Sequence, residues 1–105
     1  MNIKPGDIWL ADLGLTPKTR PVLIVFRHDP EAPRALFTYV PLTTQHRGSR
    51  YEVSVAHLPF LQQPSVVNVQ GKGSLVEPRL ERKPGELSRD TMAKVKDAIR
   101  FALER

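Results

Sequence analysis

Arg20-Pro21-Val22-Leu23-Ile24-Val25-Phe26 is the stretch on which the fold turns. From Pro21 to Phe26 it is wholly apolar, rich in branched side chains and too short for a buried helix. Such a run reads as a strand with both faces buried. Pro21 has no N–H to give a ladder, so it opens the strand. On the N-terminal side, Pro5-Gly6-Asp7 is a turn signal, and Ile8-Trp9-Leu10-Ala11-Asp12-Leu13 alternates as a first strand. Gly14 to Thr19 is the loop between them. On the C-terminal side, His28 to Arg34, with Pro30 and Pro33, is a loop, and Ala35 to Leu42 is a third strand.

Further strands are expected at Tyr51–Val55, where apolar and polar residues alternate, and at Ser65–Gln70. Gly71 and Gly73 predict a bulge or bend after the latter. Ser74–Val76 and Arg79–Arg82 read as short strands, and Pro84-Gly85 reads as a turn. One helix begins after Ser88, whose hydroxyl can accept an orphan N–H of the first turn. Asp90 suits the positive end of the helix dipole, and Leu87 and Met92 have the spacing of a hydrophobic staple. Met92, Val95, Ile99, Ala102 and Leu103 then form an apolar stripe, with Lys94, Lys96 and Arg100 outward. Short strands followed by a terminal helix favour a small barrel or strongly bent sheet.

The 105 residues suffice for one hydrophobic core, so residues 1–105 are expected to form a single domain. No apolar run approaches the roughly 20 residues of a membrane helix. The N-terminal residues have no charged-then-apolar leader pattern, which predicts a cytoplasmic location. With no cysteine, disulfides, thiolate metal sites and a Cys nucleophile are excluded. His28, His46 and His57 are too widely spaced for a local metal motif, and no cofactor is expected. The net charge of +5 is unevenly placed: between Asp12 and Glu77 there are seven bases and three acids. From Glu77 onward, six acids nearly cancel eight bases. A basic body suits an anionic partner, although charge alone is equally a soluble surface.

Arg20 abuts the buried strand, and Thr43 follows the next one. If the two strands pair antiparallel, the start of one lies beside the end of the other, and Arg20 and Thr43 converge. A guanidinium fork and a hydroxyl together can clamp a phosphate. Spacing alone equally allows a surface arginine and a turn threonine bonded to its own backbone.

The runs Pro5-Gly6-Asp7-Ile8-Trp9-Leu10-Ala11-Asp12-Leu13, Arg20-Pro21-Val22-Leu23-Ile24-Val25 and Val40-Pro41-Leu42-Thr43-Thr44-Gln45 resemble the MazF/PemK toxins. These are the ribonuclease toxins of bacterial toxin–antitoxin operons. The likeness continues through Tyr51-Glu52-Val53, Pro64-Ser65-Val66-Val67-Asn68, Arg79-Leu80 and the Leu87-Ser88 helix start, over nearly the whole chain. The resemblance implies an SH3-like, partly open β-barrel with a C-terminal helix, acting as a homodimer. It implies metal-independent, sequence-selective cleavage of single-stranded RNA, with Arg20 and Thr43 as the active-site pair, and a cognate antitoxin with an acidic C-terminal tail. Two departures bear on the chemistry. The Gly14–Thr19 loop has no acid where some members carry one, and Asn68-Val69-Gln70 stands where many carry an Asp.

Cleavage without metal or Cys uses the RNA's own 2′-OH as nucleophile, giving a 2′,3′-cyclic phosphate and a 5′-OH. Arginine, charged at neutral pH, serves to stabilise the phosphate. Lys18, Thr44, Gln45, His46, Arg47, Arg50, Asn68, Gln70 and Lys72 are the expected contacts to RNA backbone or bases. Trp9 is expected in the core or at a dimer contact rather than under a base. Two other functions compete. One is a toxin of the same fold that binds DNA gyrase; the other is a non-catalytic nucleic-acid-binding barrel, for which two Tyr, one Trp and four Phe give little stacking surface.

Overall fold

In the computed structural model, which describes residues 2–14 and 18–104, Val22, Leu23 and Ile24 are completely buried. They lie in β2 (Arg20–Ile24) and alternate between two cores, as the unbroken apolar run requires. Its neighbours are β1 (Asp7–Ala11) and β3 (Phe37–Thr43). The remaining strands are β4 (Glu52–Ser54), β5 (Val66–Asn68), β6 (Gly73–Leu75) and β7 (Leu80–Glu86), followed by helix α1 (Arg89–Leu103). The strand order is β4-β5-β3-β2-β1-β7, with β6 also on β3, and each pairing is antiparallel.

The inner core holds Trp9 and Ala11 of β1, Val22 and Ile24 of β2, Phe37 of β3, Leu75 of β6 and Leu80 of β7. Strands β7, β1, β2, β3 and β6 therefore wrap around one cluster. The described ladders do not join β6 to β7; a 3-10 turn at Glu77–Arg79 links them instead, so the barrel is only partly open, as expected. The outer core takes the alternate residues Ile8, Leu23, Val40 and Leu42, covered by β4, β5 and α1 through Val53, Val67, Met92, Val95 and Ala98. Each fully buried aliphatic side chain contributes about 1.5–3 kcal/mol relative to exposure.

Helix α1 begins as its sequence dictates. Ser88 Oγ accepts the Thr91 N–H at 3.1 Å, and Leu87 and Met92 are both buried in the outer core. Lys94, Lys96 and Arg100 are exposed, and Arg100 pairs with Asp97 on the same helix at 2.8 Å. No described helix is long and apolar enough to cross a membrane.

Two local expectations are corrected. Pro84-Gly85 is not a turn but lies inside β7, which runs on to Glu86. Ile8 pairs with Gly85 and Leu10 with Arg82, so the two residues Lys83 and Pro84 stand opposite Trp9 alone. This is a β-bulge on an edge strand, where a residue without an N–H breaks no ladder. Gly85 is required there, because a Cβ would meet Phe60 Cε1 at 2.5 Å. The strand expected over Ser65–Gln70 ends at Asn68, because Asn68 Oδ1 accepts the Gln70 N–H and starts a 3-10 turn at Val69–Gly71.

The Pro5-Gly6-Asp7 turn has a further function in the fold. Asp7 is fully buried; its Oδ2 accepts the Lys4 N–H at 3.0 Å, and its Oδ1 lies 3.0 Å from the Lys83 ammonium. The bond to Asp7 is the main reason the Lys83 pKa is held above 10.5, against the cost of burial. The bulge thus delivers the counter-ion for a carboxylate buried in the first strand.

Candidate active site

The β2–β3 ladder pairs Val22 with Pro41, Leu23 with Val40 and Ile24 with Tyr39. Carried two residues further, the same register sets Arg20 opposite Thr43. Each is also fixed on its other side: Arg20 pairs with Ala11 of β1, and Thr43 with Val66 of β5. The two therefore stand just beyond the β2–β3 ladder, at the same end of the sheet. The Arg20 side chain is exposed and has no carboxylate partner among the described residues. Thr43 is half-buried, and its Oγ1 accepts the Gln45 N–H at 3.1 Å. That is the turn role sequence reasoning allowed, and it leaves the hydroxyl proton free to donate. Arg20 and Thr43 thus offer positive charge and N–H and O–H donors at one strand mouth, which suits a phosphate.

The floor beside this mouth is made by Pro41 and the turn after β5. A Cβ on Gly71 would lie 2.9 Å from Pro41 Cγ and 3.9 Å from Asn68 Nδ2, so the turn is laid against the Pro41 ring with the Asn68 amide next to it. Since Asn68 Oδ1 is taken by the Gln70 N–H, its amide orientation is set and the NH2 remains as a donor.

The other expected contact residues divide into groups. Thr44, Gln45, His46 and Arg47 are exposed in the loop leaving Thr43. Arg50 ends that loop but does not reach the mouth. Its guanidinium carbon lies 3.8 Å from the centroid of the Phe101 ring on α1, so its charge is held by a cation–π contact. Lys72 and Gln70 are drawn away as well. They line a groove of about 360 Å³ whose apolar wall includes Val25, Phe26, Ile99 and Leu103. Lys18 is exposed next to residues 15–17, which lie outside the described ones. His28 is exposed and stacks on Phe37, ring centroids 5.6 Å apart. His57 is exposed, and Trp9, only 5% exposed, is a core residue.

Three functional supports escaped sequence reasoning. Glu52 organises the loop after Thr43. Its Oε1 accepts the Ser49 N–H at 2.8 Å and its Oε2 the Arg47 N–H at 3.0 Å. The backbone donors of Ser49 and then Arg47 hold the Glu52 pKa below its ordinary 4.5, with a smaller contribution from His46. A depressed carboxylate pKa means the ordering is fully present above 4.5 and is lost as pH falls through the lowered value. Amide exchange at Arg47 and Ser49 is therefore expected to accelerate selectively in acid, and Glu52→Gln should weaken the same protection at neutral pH. Equal protection at those amides across the acid titration would remove this role.

The other two supports are Asp12 and Arg79. Asp12 follows Ala11, the partner of Arg20, so a carboxylate does stand at this end of the sheet. Both its oxygens are occupied: Oδ1 accepts the Gly14 N–H at 2.9 Å, and Oδ2 pairs with Arg79 Nη1 at 3.5 Å. The spacing Asp12-Leu13-Gly14 is an Asx-turn signal, but nothing local points to Arg79.

The chain belongs to the PemK-like, MazF-like toxins of type II toxin–antitoxin systems, whose family pattern matches residues 4–103. It is similar in structure to the Mycobacterium tuberculosis toxin MazF-mt6. That comparison has 33% identity and a TM-score of 0.78 and covers 94% of this chain and 99% of that one. A mycobacterial endoribonuclease in complex with its cognate antitoxin matches at 28% identity and TM-score 0.81, covering 96% of this chain and 94% of that one. MazF from Deinococcus radiodurans, at 19% identity and TM-score 0.77 over 98% and 97% of the two chains, shares the fold. A comparison with curated proteins found no match.

Proposed function

We propose that this toxin is a metal-independent, sequence-selective endoribonuclease that cuts single-stranded mRNA, and that Arg20 and Thr43 carry the reaction. The observation that supports this reading is the antiparallel β2–β3 ladder, whose register, continued two residues past Val22–Pro41, sets Arg20 opposite Thr43. The 2′-oxygen forms a bond to the adjacent phosphorus, and the bond from phosphorus to the 5′-oxygen breaks. The 2′ proton leaves to a base, and a proton reaches the departing 5′-oxygen. Arg20 stabilises the charge that grows on the phosphate oxygens, and Thr43 donates its O–H to hold the group in line. In this reading Thr44, Gln45, His46, Arg47 and Asn68 contact the RNA on either side, and growth inhibition follows from loss of intact message.

The direct test is incubation of the purified protein with a long RNA in EDTA. Discrete fragments support the nuclease. Intact RNA with gel retardation would favour a binding module, and intact RNA without retardation a toxin that acts on a protein such as gyrase.

The active species in this reading is a homodimer in the cytoplasm, restrained by an antitoxin whose acidic tail competes with RNA for the basic body. Phe26 and Leu103 are 61% and 77% exposed on the groove beside α1, an apolar surface that a second copy would cover. Sedimentation at micromolar concentration is expected to give a dimer, and Leu103→Lys to shift it toward monomer. A monomeric, fully active unaltered chain would count against the dimer.

A further inference from the structure

We infer that Arg79, held by Asp12, is a second phosphate-binding residue that sets the register of RNA on Arg20, and that Asp12 is its anchor and not a base in the reaction. The inference rests on the nuclease reading above.

Four observations carry it. First, the strand order β7-β1-β2 puts three strand ends side by side, since Ala11 pairs with both Leu80 and Arg20. Arg79 immediately precedes Leu80, so its backbone stands two inter-strand spacings, about 10 Å, from that of Arg20. Second, Asp12 N–H donates to the Arg79 carbonyl at 2.9 Å, which fixes the Arg79 backbone at the end of the β1–β7 ladder. Third, the guanidinium is oriented before any ligand arrives. Gly14, with φ +77°, turns its N–H onto Asp12 Oδ1, and Asp12 Oδ2 takes Arg79 Nη1. The turn lies beside the guanidinium: a Cβ on Gly14 would be 3.4 Å from Arg79 Nη1, an ordinary van der Waals contact. Fourth, the Arg79 side chain is still 49% exposed, and a guanidinium has five N–H donors, so most remain for an anion.

An exposed arginine–aspartate pair of this kind adds little to stability. Its arrangement suits recognition better: the strand order sets two exposed arginines on neighbouring strand ends, one without a carboxylate partner among the described residues and one steadied by a carboxylate. In this reading the Asp12 charge is directed at Arg79, and Asp12 serves as its anchor instead of as the missing base.

The test measures steady-state cleavage and, separately, fluorescence anisotropy of an oligonucleotide made uncleavable by one deoxyribose at the cut. Arg79→Ala is expected to raise KM about tenfold with kcat within a factor of about two, as for loss of one charged hydrogen-bond contact. The slope of log binding against log salt should fall by about 0.7, the single-strand value for one phosphate. Arg79→Lys should restore the slope and report on folding, since it keeps the charge. Asp12→Asn should raise KM in the same direction and leave the pH profile of kcat unchanged. An unchanged KM and salt slope in Arg79→Ala would overturn the proposal, and so would a shifted kcat pH profile in Asp12→Asn. If the unaltered protein cuts no RNA, the nuclease reading fails on its own, and the anisotropy series still decides whether Arg79 binds phosphate.

Discussion

Replacing Arg20 with alanine is expected to lower RNA cleavage by roughly 10²-fold or more while leaving thermal stability close to that of the unaltered chain. Arg20 is exposed, so its removal opens no cavity, and its backbone stays paired through Ala11. The lost term is a charge fixed in place before the reaction begins. Lysine should recover little of it, because an ammonium cannot make the paired, planar contact of a guanidinium with phosphate oxygens. Thr43→Ala should act in the same direction with a smaller loss, since it removes a neutral donor. It also deletes the acceptor of the Gln45 N–H, so part of its effect comes from loosening the loop. Turnover of Arg20→Ala within a few-fold of the unaltered enzyme would exclude the assignment.

A larger effect still is expected from the substrate. Changing the single ribose on the 5′ side of the cut to deoxyribose should abolish cleavage and leave binding largely intact, because most backbone contacts do not involve that hydroxyl. Asp12 is a carboxylate at this end of the sheet, and its oxygens contact Gly14 and Arg79. An intramolecular nucleophile avoids the entropic cost of recruiting and activating a water. The products should carry 2′,3′-cyclic phosphate, or the 3′-phosphate from its hydrolysis, and a free 5′-OH. Efficient cutting of the deoxy-substituted strand, or products with a 5′-phosphate, would rule this route out.

The sequence disclosed the fold through patterns that act over a few residues. The unbroken Val22-Leu23-Ile24 run demanded two apolar surroundings, and two cores are present. Ser88 and the Leu87/Met92 spacing placed the helix start correctly, because capping is a local interaction. The antiparallel pairing of β2 with β3, which sets the start of one beside the end of the other, was legible as well. What escaped was long-range. Pro84-Gly85 has the composition of a turn, and only pairing with β1 and the approach of Phe60 keep it extended. The contact of Arg50 with a ring about fifty positions away, Phe101, could not be read from the sequence. Gln70 and Lys72 stand elsewhere for a geometric reason: β5 runs antiparallel to β3 and away from Thr43, and the Asn68 cap then turns the chain toward the groove beside α1. Glu52 and the Asp12–Arg79 pair were invisible, because the partners are backbone N–H groups of the preceding loop and a distant arginine.

The lone tryptophan gives this molecule an optical handle. Trp9 sits 5% exposed in the inner core, and its indole Nε1 has no hydrogen-bond partner among the described residues. Its emission should be blue-shifted in the native state and should move to the red when the barrel opens. The helix lies over the other core and contains no tryptophan, so far-ultraviolet dichroism follows a different part of the structure. Coincident denaturation curves from the two signals would mean that both cores melt as one cooperative unit; separated curves would mean that the helix can detach while the barrel stays closed.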